Sequence, residues 1–155
     1  MSTYDVYIAG SMTGRKIQDI LFERAETKAL LSAYGLSWYD PAEGEGLEEQ
    51  DSNAVVSNAF DFPKMESFVK KDLAAVAASR SVLNINGDMS SEGALWEMAF
   101  ATYYRFIPVF LVAPLRVSGA KMTFTNVLAT AMYGTLQEAV FALNEKLKES
   151  KSALS

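Results

Sequence analysis

Tyr4–Gly14 reads YDVYIAGSMTG, a short aromatic and aliphatic run followed by a loop that glycine opens and closes. An apolar run of this length that stops at glycine is a buried strand, and the small residues after it form a loop. Beyond the loop, Ile17, Ile20, Leu21, Ala25, Lys28 and Leu31 recur at helical spacing. That spacing predicts an amphipathic helix over residues 16–34, with Gly35 as its stop. The strand–loop–helix unit then repeats. Leu36–Tyr39 is a short second strand broken at Asp40-Pro41, and Met65, Phe68, Val69, Leu73, Val76 and Ala77 mark a second helix. Ser81–Asn86 (SVLNIN) is a third strand, followed by the Gly87–Ser91 loop and a helix from near Glu92 to Tyr104. Ile107–Ala113 (IPVFLVA) is the most apolar strand and takes a central place in the sheet.

The remaining segments are less regular. Residues 40–63 are polar, acidic and glycine-containing, with room for a turn or two of helix, and residues 114–126 are irregular. Loops this long in a compact domain are usually functional or mobile. Thr135–Lys148 forms the last helix, with Thr135 and Glu138 spaced as a capping box. The chain reads as one domain over 1–149 with a frayed tail at 150–155. Strands that alternate with helices build a parallel sheet covered on both faces. Ligands of such sheets bind outside the carboxyl ends of the strands, where the strand order reverses. The stretches Tyr7–Gly14, Asp40–Gly46 and Asp88–Glu97 therefore carry the candidate site.

Composition narrows the chemistry. The 155 residues include no cysteine and no histidine, so thiol nucleophiles, Ser-His-Asp triads and imidazole bases or metal ligands are excluded. Chemistry near neutral pH must come from carboxylates, tyrosine, lysine or hydroxyls. A net charge of −5 argues against binding a nucleic-acid polymer, though a helix N-terminus can still hold a small phosphate ligand. No apolar run is long enough for a membrane helix and no signal peptide is visible, so no membrane partner and a cytoplasmic location are expected. No cofactor and no metal are expected either; Glu43, Glu45, Glu48 and Glu49 read as a solvated acidic loop.

Individual residues give weak signals. Ser91 is a good N-cap, which turns the first-turn N–H groups of its helix towards the crevice. Glu97 lies among Ala94, Trp96, Met98, Ala99 and Phe100, where a carboxylate is either paired or held ready to react; the ordinary alternative is a partly exposed helix glutamate. Asp72, after Lys70 and Lys71, reads alone as a solvated helix residue, and Tyr7 as a core aromatic. Ser11 and Thr13, between Gly10 and Gly14, are a weak anion-loop signal.

Taken together they are more specific. The order Tyr7-x-x-Gly10-Ser11, then Asp72, then Ser91-x-Gly93-Ala94-x-x-Glu97, then Pro108-Val109 resembles the nucleoside 2-deoxyribosyltransferase superfamily. That superfamily includes the 2′-deoxynucleoside 5′-monophosphate N-glycosidases and cytidine monophosphate hydrolases. The match runs from the first strand through Val112, with a weaker echo at Thr125-Asn126. With it, the expected fold class is α/β: a Rossmann-like (flavodoxin-like) three-layer sandwich with a five-stranded parallel sheet.

The resemblance implies roles. Glu97 matches the nucleophile that attacks C1′, Tyr7 the tyrosine that orients it, and Asp72 the acid near the leaving base. The free-nucleoside transferases usually carry aspartate where this chain has Ser91; the monophosphate hydrolases carry serine, and Ser11 matches their second phosphate contact. Gly10 and Gly93 accompany them, and Glu92 stands where its charge could crowd a phosphate. The resemblance further implies a homodimer or dimer of dimers, with the neighbouring subunit completing the pocket through Thr125 and Asn126. The leading expectation is an N-glycosidase acting on a nucleoside 5′-monophosphate. The alternatives are a deoxyribosyltransferase with the same nucleophile and a non-catalytic nucleotide sensor.

Overall fold

A computed structural model describes residues 2–57, 62–89, 91–113 and 127–152. Five strands form one sheet: β1 (Val6–Ala9), β2 (Trp38–Tyr39), β3 (Val82–Asn84), β4 (Val109–Val112) and β5 (Ala131–Tyr133). All neighbours are parallel and the order is β2-β1-β3-β4-β5. Strand order reverses between β1 and β3, whose register pairs Tyr7 with Val82 and Ala9 with Asn84. The crevice expected of a doubly wound sheet thus opens beyond Ala9 and Asn84.

Among the described residues, four α-helices cover the sheet: α1 (Ile17–Ala33), α2 (Phe62–Ala77), α3 (Glu92–Phe100) and α4 (Leu136–Ser152). Successive strand residues point to opposite faces. Val6, Ile8, Leu83, Phe110 and Val112 pack with Leu31 of α1 and Val140, Leu143 and Leu147 of α4. Tyr7, Ala9, Val82, Val109 and Leu111 pack with Val76 of α2 and Ala94 and Met98 of α3. The result is the three-layer sandwich anticipated from the sequence.

Helix ends follow local chemistry. Gly35 sits at φ +71° and Leu36 N–H bonds back to Leu31 O at 3.0 Å, a left-handed stop that a side chain would strain. Asp40 starts a short 3₁₀ turn, Pro41–Glu45, by accepting from Ala42 N, and a second such turn spans Leu47–Glu49. The expected long loop is therefore partly ordered, and α2 begins at Phe62, earlier than its apolar spacing indicated. β5 had no strand signature of its own; it is three half-buried or exposed residues on the sheet edge. α3 passes into a single π turn, Ala101–Arg105, closed by Ile107 N–H on Ala101 O, with Phe106 at φ 53°.

The last helix ends later than its Lys148 end read from the sequence. α4 runs to Ser152, through the start of the segment read as a frayed tail at 150–155. Ion pairs Lys148–Glu145 (3.3 Å) and Lys146–Glu149 (3.7 Å) and a Ser150 hydroxyl bonded to Lys146 O support its last turns. Among the described residues, no helix is long and apolar enough to cross a membrane.

Candidate active site

The pleat of β1 turns Tyr7 towards α2 and α3, and its ring is fully buried. Its hydroxyl donates to Glu97 Oε1 at 2.8 Å, joining residues ninety positions apart. Tyr39 stacks on the other side of the Tyr7 ring at 5.7 Å, which fixes its position. On α3, Gly93, Glu97 and Phe100 are spaced to share one stripe, and together with Tyr104 of the following π turn they line a cleft of about 870 Å³. Ser91 caps the helix by accepting from Ala94 N at 3.2 Å. The N–H groups of Glu92 and Gly93, two residues that line the cleft, have no intrahelical acceptor. Val69, Asp72 and Leu73 of α2, Gly10 and Ser11 after β1, and Pro41 after β2 complete the walls.

Burial dominates the electrostatics. It pushes the Glu97 carboxyl up to about 8; nearby Asp72 adds to the rise, while the Tyr7 hydrogen bond and the Arg24 charge oppose it. Burial also pushes Asp72 up to about 6, against the pull of Lys71. Tyr7 is held neutral by burial and by the two carboxylates. Two carboxyl groups in one cleft, both displaced towards neutrality, can hold and pass a proton near pH 7 without an imidazole.

Of the residues singled out from sequence, Gly10, Ser11, Asp72, Ser91, Gly93 and Glu97 share this cleft, with Tyr7 bonded to its nucleophile candidate. Gly10 is required by space: a Cβ there would lie 2.5 Å from Asn86 Oδ1. A Cβ on Gly93 would meet nothing within 4 Å, so its absence leaves the cleft open. Thr125 and Asn126 lie outside the described residues. Glu43, read as part of a solvated loop, pairs with Lys28 at 2.8 Å. Among the described residues, no cluster of three metal-ligating side chains occurs.

Sequence reasoning missed the polar layer beneath the cleft. Arg24 and Asp40 form a fully buried ion pair at 2.9 Å. Arg15 makes a two-pronged pair with Glu23 at 2.6 and 2.8 Å and also bonds Ser11 O and Asn86 Oδ1. Periodicity gives no signal for these charges, two in a helix and two in loops; only the loop position of Arg15, between Gly14 and the helix, offered a hint.

No protein-family model and no curated protein matches the chain. Among solved structures, a 2-deoxyribosyltransferase from the psychrotolerant bacterium Bacillus psychrosaccharolyticus matches with a TM-score of 0.63 and 18% identity. The match covers 86% of this chain and 88% of that one. The two chains share a fold. That enzyme is described as a biocatalyst for the synthesis of antiviral and antitumoral nucleosides. At this identity the likeness is one of architecture, and it spans nearly all of both chains.

Proposed function

We propose that the protein cleaves the N-glycosidic bond of a nucleoside 5′-monophosphate, with Glu97 as nucleophile. The observation that carries this reading is the Tyr7–Glu97 hydrogen bond in a cleft that also holds Asp72. Breaking the base–sugar bond builds positive charge on the sugar, which a carboxylate beneath C1′ stabilises and then captures as a glycosyl ester. Tyr7 binds one carboxylate oxygen and leaves the other to attack. Asp72 gives its proton to the departing base as the C1′–N bond breaks. Water then attacks C1′ and gives a proton to the Asp72 carboxylate as the bond from C1′ to Glu97 breaks, releasing the sugar phosphate and restoring both carboxyl groups.

Attack requires Glu97 ionised and Asp72 protonated, the reverse of the order that burial sets between them. Only the minority form with the shared proton on Asp72 is competent. The rate is then bell-shaped in pH, with limbs near 6 and 8 belonging to the pair rather than to either residue.

Ser11, the first-turn N–H groups of α3 and the Ser91 hydroxyl suit a 5′-phosphate, because they can donate hydrogen bonds to it, while the Glu92 carboxylate, which lines the same cleft, opposes it. The active unit in this proposal is a homodimer in which the partner's 122–126 segment closes the pocket. The fold shared with a 2-deoxyribosyltransferase supports a second reading, in which a free base rather than water resolves the ester. One panel separates them: ribo- and deoxyribonucleosides and their monophosphates, each with and without a foreign base, scored for free base and exchanged product. Free base from monophosphates alone supports the hydrolase. Exchange products from free nucleosides support the transferase. Cleavage of free deoxynucleosides with monophosphates ignored would overturn the phosphate assignment.

A further inference from the structure

Arg24 is 2% exposed, in a helix whose other buried residues are aliphatic apart from Thr27. The sheet explains why a guanidinium belongs there. β1 pairs with β2 only through Val6–Trp38 and Tyr7–Tyr39, after which the chain turns away at Asp40-Pro41. Ala9 O faces the other way and accepts from Ile85 N. By alternation, Ile8 O and Gly10 O face the side that β2 has vacated. Arg24 takes the missing strand's place, with Nη1 on Ile8 O at 3.0 Å and Nη2 on Gly10 O at 3.3 Å. The same Nη1 reaches Asp40 Oδ1 at 2.9 Å. Asp40 Oδ1 also accepts from Ala42 N, which starts the turn that carries Pro41, while Lys28 Nζ holds Oδ2 at 2.8 Å.

One buried ion pair therefore ties the end of β1, beside Gly10 and Ser11, to the turn at Pro41. We infer that Arg24 is a positioning residue for the proposed reaction: by standing in for the missing end of β2, it fixes two walls of the cleft relative to Tyr7 and keeps the phenol against Glu97. It touches no substrate. The inference rests on the reaction proposed above. Its charge also bears on Glu97, which is faced by Tyr7 from β1, Asp72 from α2 and Arg24 from α1.

Arg24→Met alone removes the buried cation at Asp40 Oδ1, leaving Lys28 as the carboxylate's remaining ion-pair partner, and puts the fold at risk. The test therefore uses Arg24→Lys and the paired variant Arg24→Met/Asp40→Asn. Each is measured for melting temperature, for kcat and KM on the best substrate of the panel, for its pH profile, and by ¹³C-NMR titration of the Glu97 carboxyl. Both variants are expected to fold and to lose on the order of 10- to 100-fold in kcat with KM little changed, as misplaced reacting groups do. The Glu97 midpoint is expected to rise in the paired variant and to move less in Arg24→Lys, which keeps a charge.

Folded variants with wild-type kcat, pH profile and Glu97 midpoint would overturn the inference and leave Arg24 as a residue of stability alone. Should the paired variant not fold, Arg24→Lys decides, because an ammonium cannot span three acceptors. A wild type that releases no base from any nucleoside or nucleotide overturns the proposed reaction instead. The Glu97 titration then still reads whether Arg24 controls the Tyr7–Glu97 pair.

Discussion

Along β1 the side chains part: Val6 and Ile8 enter one core, Tyr7 and Ala9 the other. On the α1/α4 side the space between sheet and helices is filled by large aliphatic and aromatic groups such as Leu31, Leu83, Phe110 and Leu143. On the α2/α3 side many positions are alanine (Ala9, Ala75, Ala94 and Ala101), and the largest buried ring carries a hydroxyl. Small residues there let two carboxyl groups sit between helices and sheet without filling the crevice. One face holds the sheet together; the other spends part of its packing on a cleft.

That contrast can be broken most sharply at Glu97. Glu97→Gln should lower turnover by at least about 10³-fold, since in the proposed reaction this carboxylate forms the ester. The same change should leave the fold intact and raise the melting temperature at alkaline pH. The sign follows from burial: the folded carboxyl is raised from 4.5 to about 8, so its contribution to stability is present below 4.5 and lost as pH rises through about 8. Melting curves at pH 5 and 9 check this, with a gain at pH 9 alone expected. On the opposite face, Leu143→Ala should cost about 2–5 kcal/mol of stability, by removing a fully buried side chain between α4 and the sheet. Activity per folded molecule should not change, which denaturant unfolding paired with turnover assays will show.

Smaller changes sharpen the comparison. Tyr7→Phe keeps the ring in its stack with Tyr39 but removes the bond to Glu97. Turnover should fall about 10- to 100-fold, the worth of a hydrogen bond to a charged group. Because that bond lowers the Glu97 pKa, the alkaline limb of the pH profile should move upward. Gly93→Ala is the mildest. Its Cβ meets nothing, so the α3 helix should gain about 0.5–1 kcal/mol, while KM rises if the sugar or phosphate lies over this position. A melting scan and a Michaelis–Menten series on one preparation will report both effects.

The sequence displayed the frame more clearly than the site. α4 follows apolar spacing that an amphipathic helix shows, α1 does so only at Ile17, Ile20 and Leu31 (its buried face also holds Arg24 and Thr27, while Ala25 is exposed), and β4 is apolar throughout because both of its faces are covered. β5 left no trace in the pattern: three residues at an edge, none fully buried, need not alternate. The π turn after Phe100 was also silent, since its extra residue changes hydrogen-bond partners without changing composition. Arg24 gave no signal and Asp40 only that of a strand break in a candidate loop, because their burial depends on where β2 stops rather than on their neighbours in sequence. Tyr7 and Glu97 were singled out together through a resemblance; periodicity alone placed one in a core and left the other ambiguous.

The chain holds no imidazole, and the cleft relies on carboxyl groups and a phenol. Carboxyl groups ionise with little exchange of heat, unlike imidazole or amine groups, so their titration midpoints drift little as a solution warms or cools. A site of this make-up keeps its working acidity nearly constant from cold to hot, leaving temperature to act on the barrier rather than on the fraction of molecules in the right protonation state.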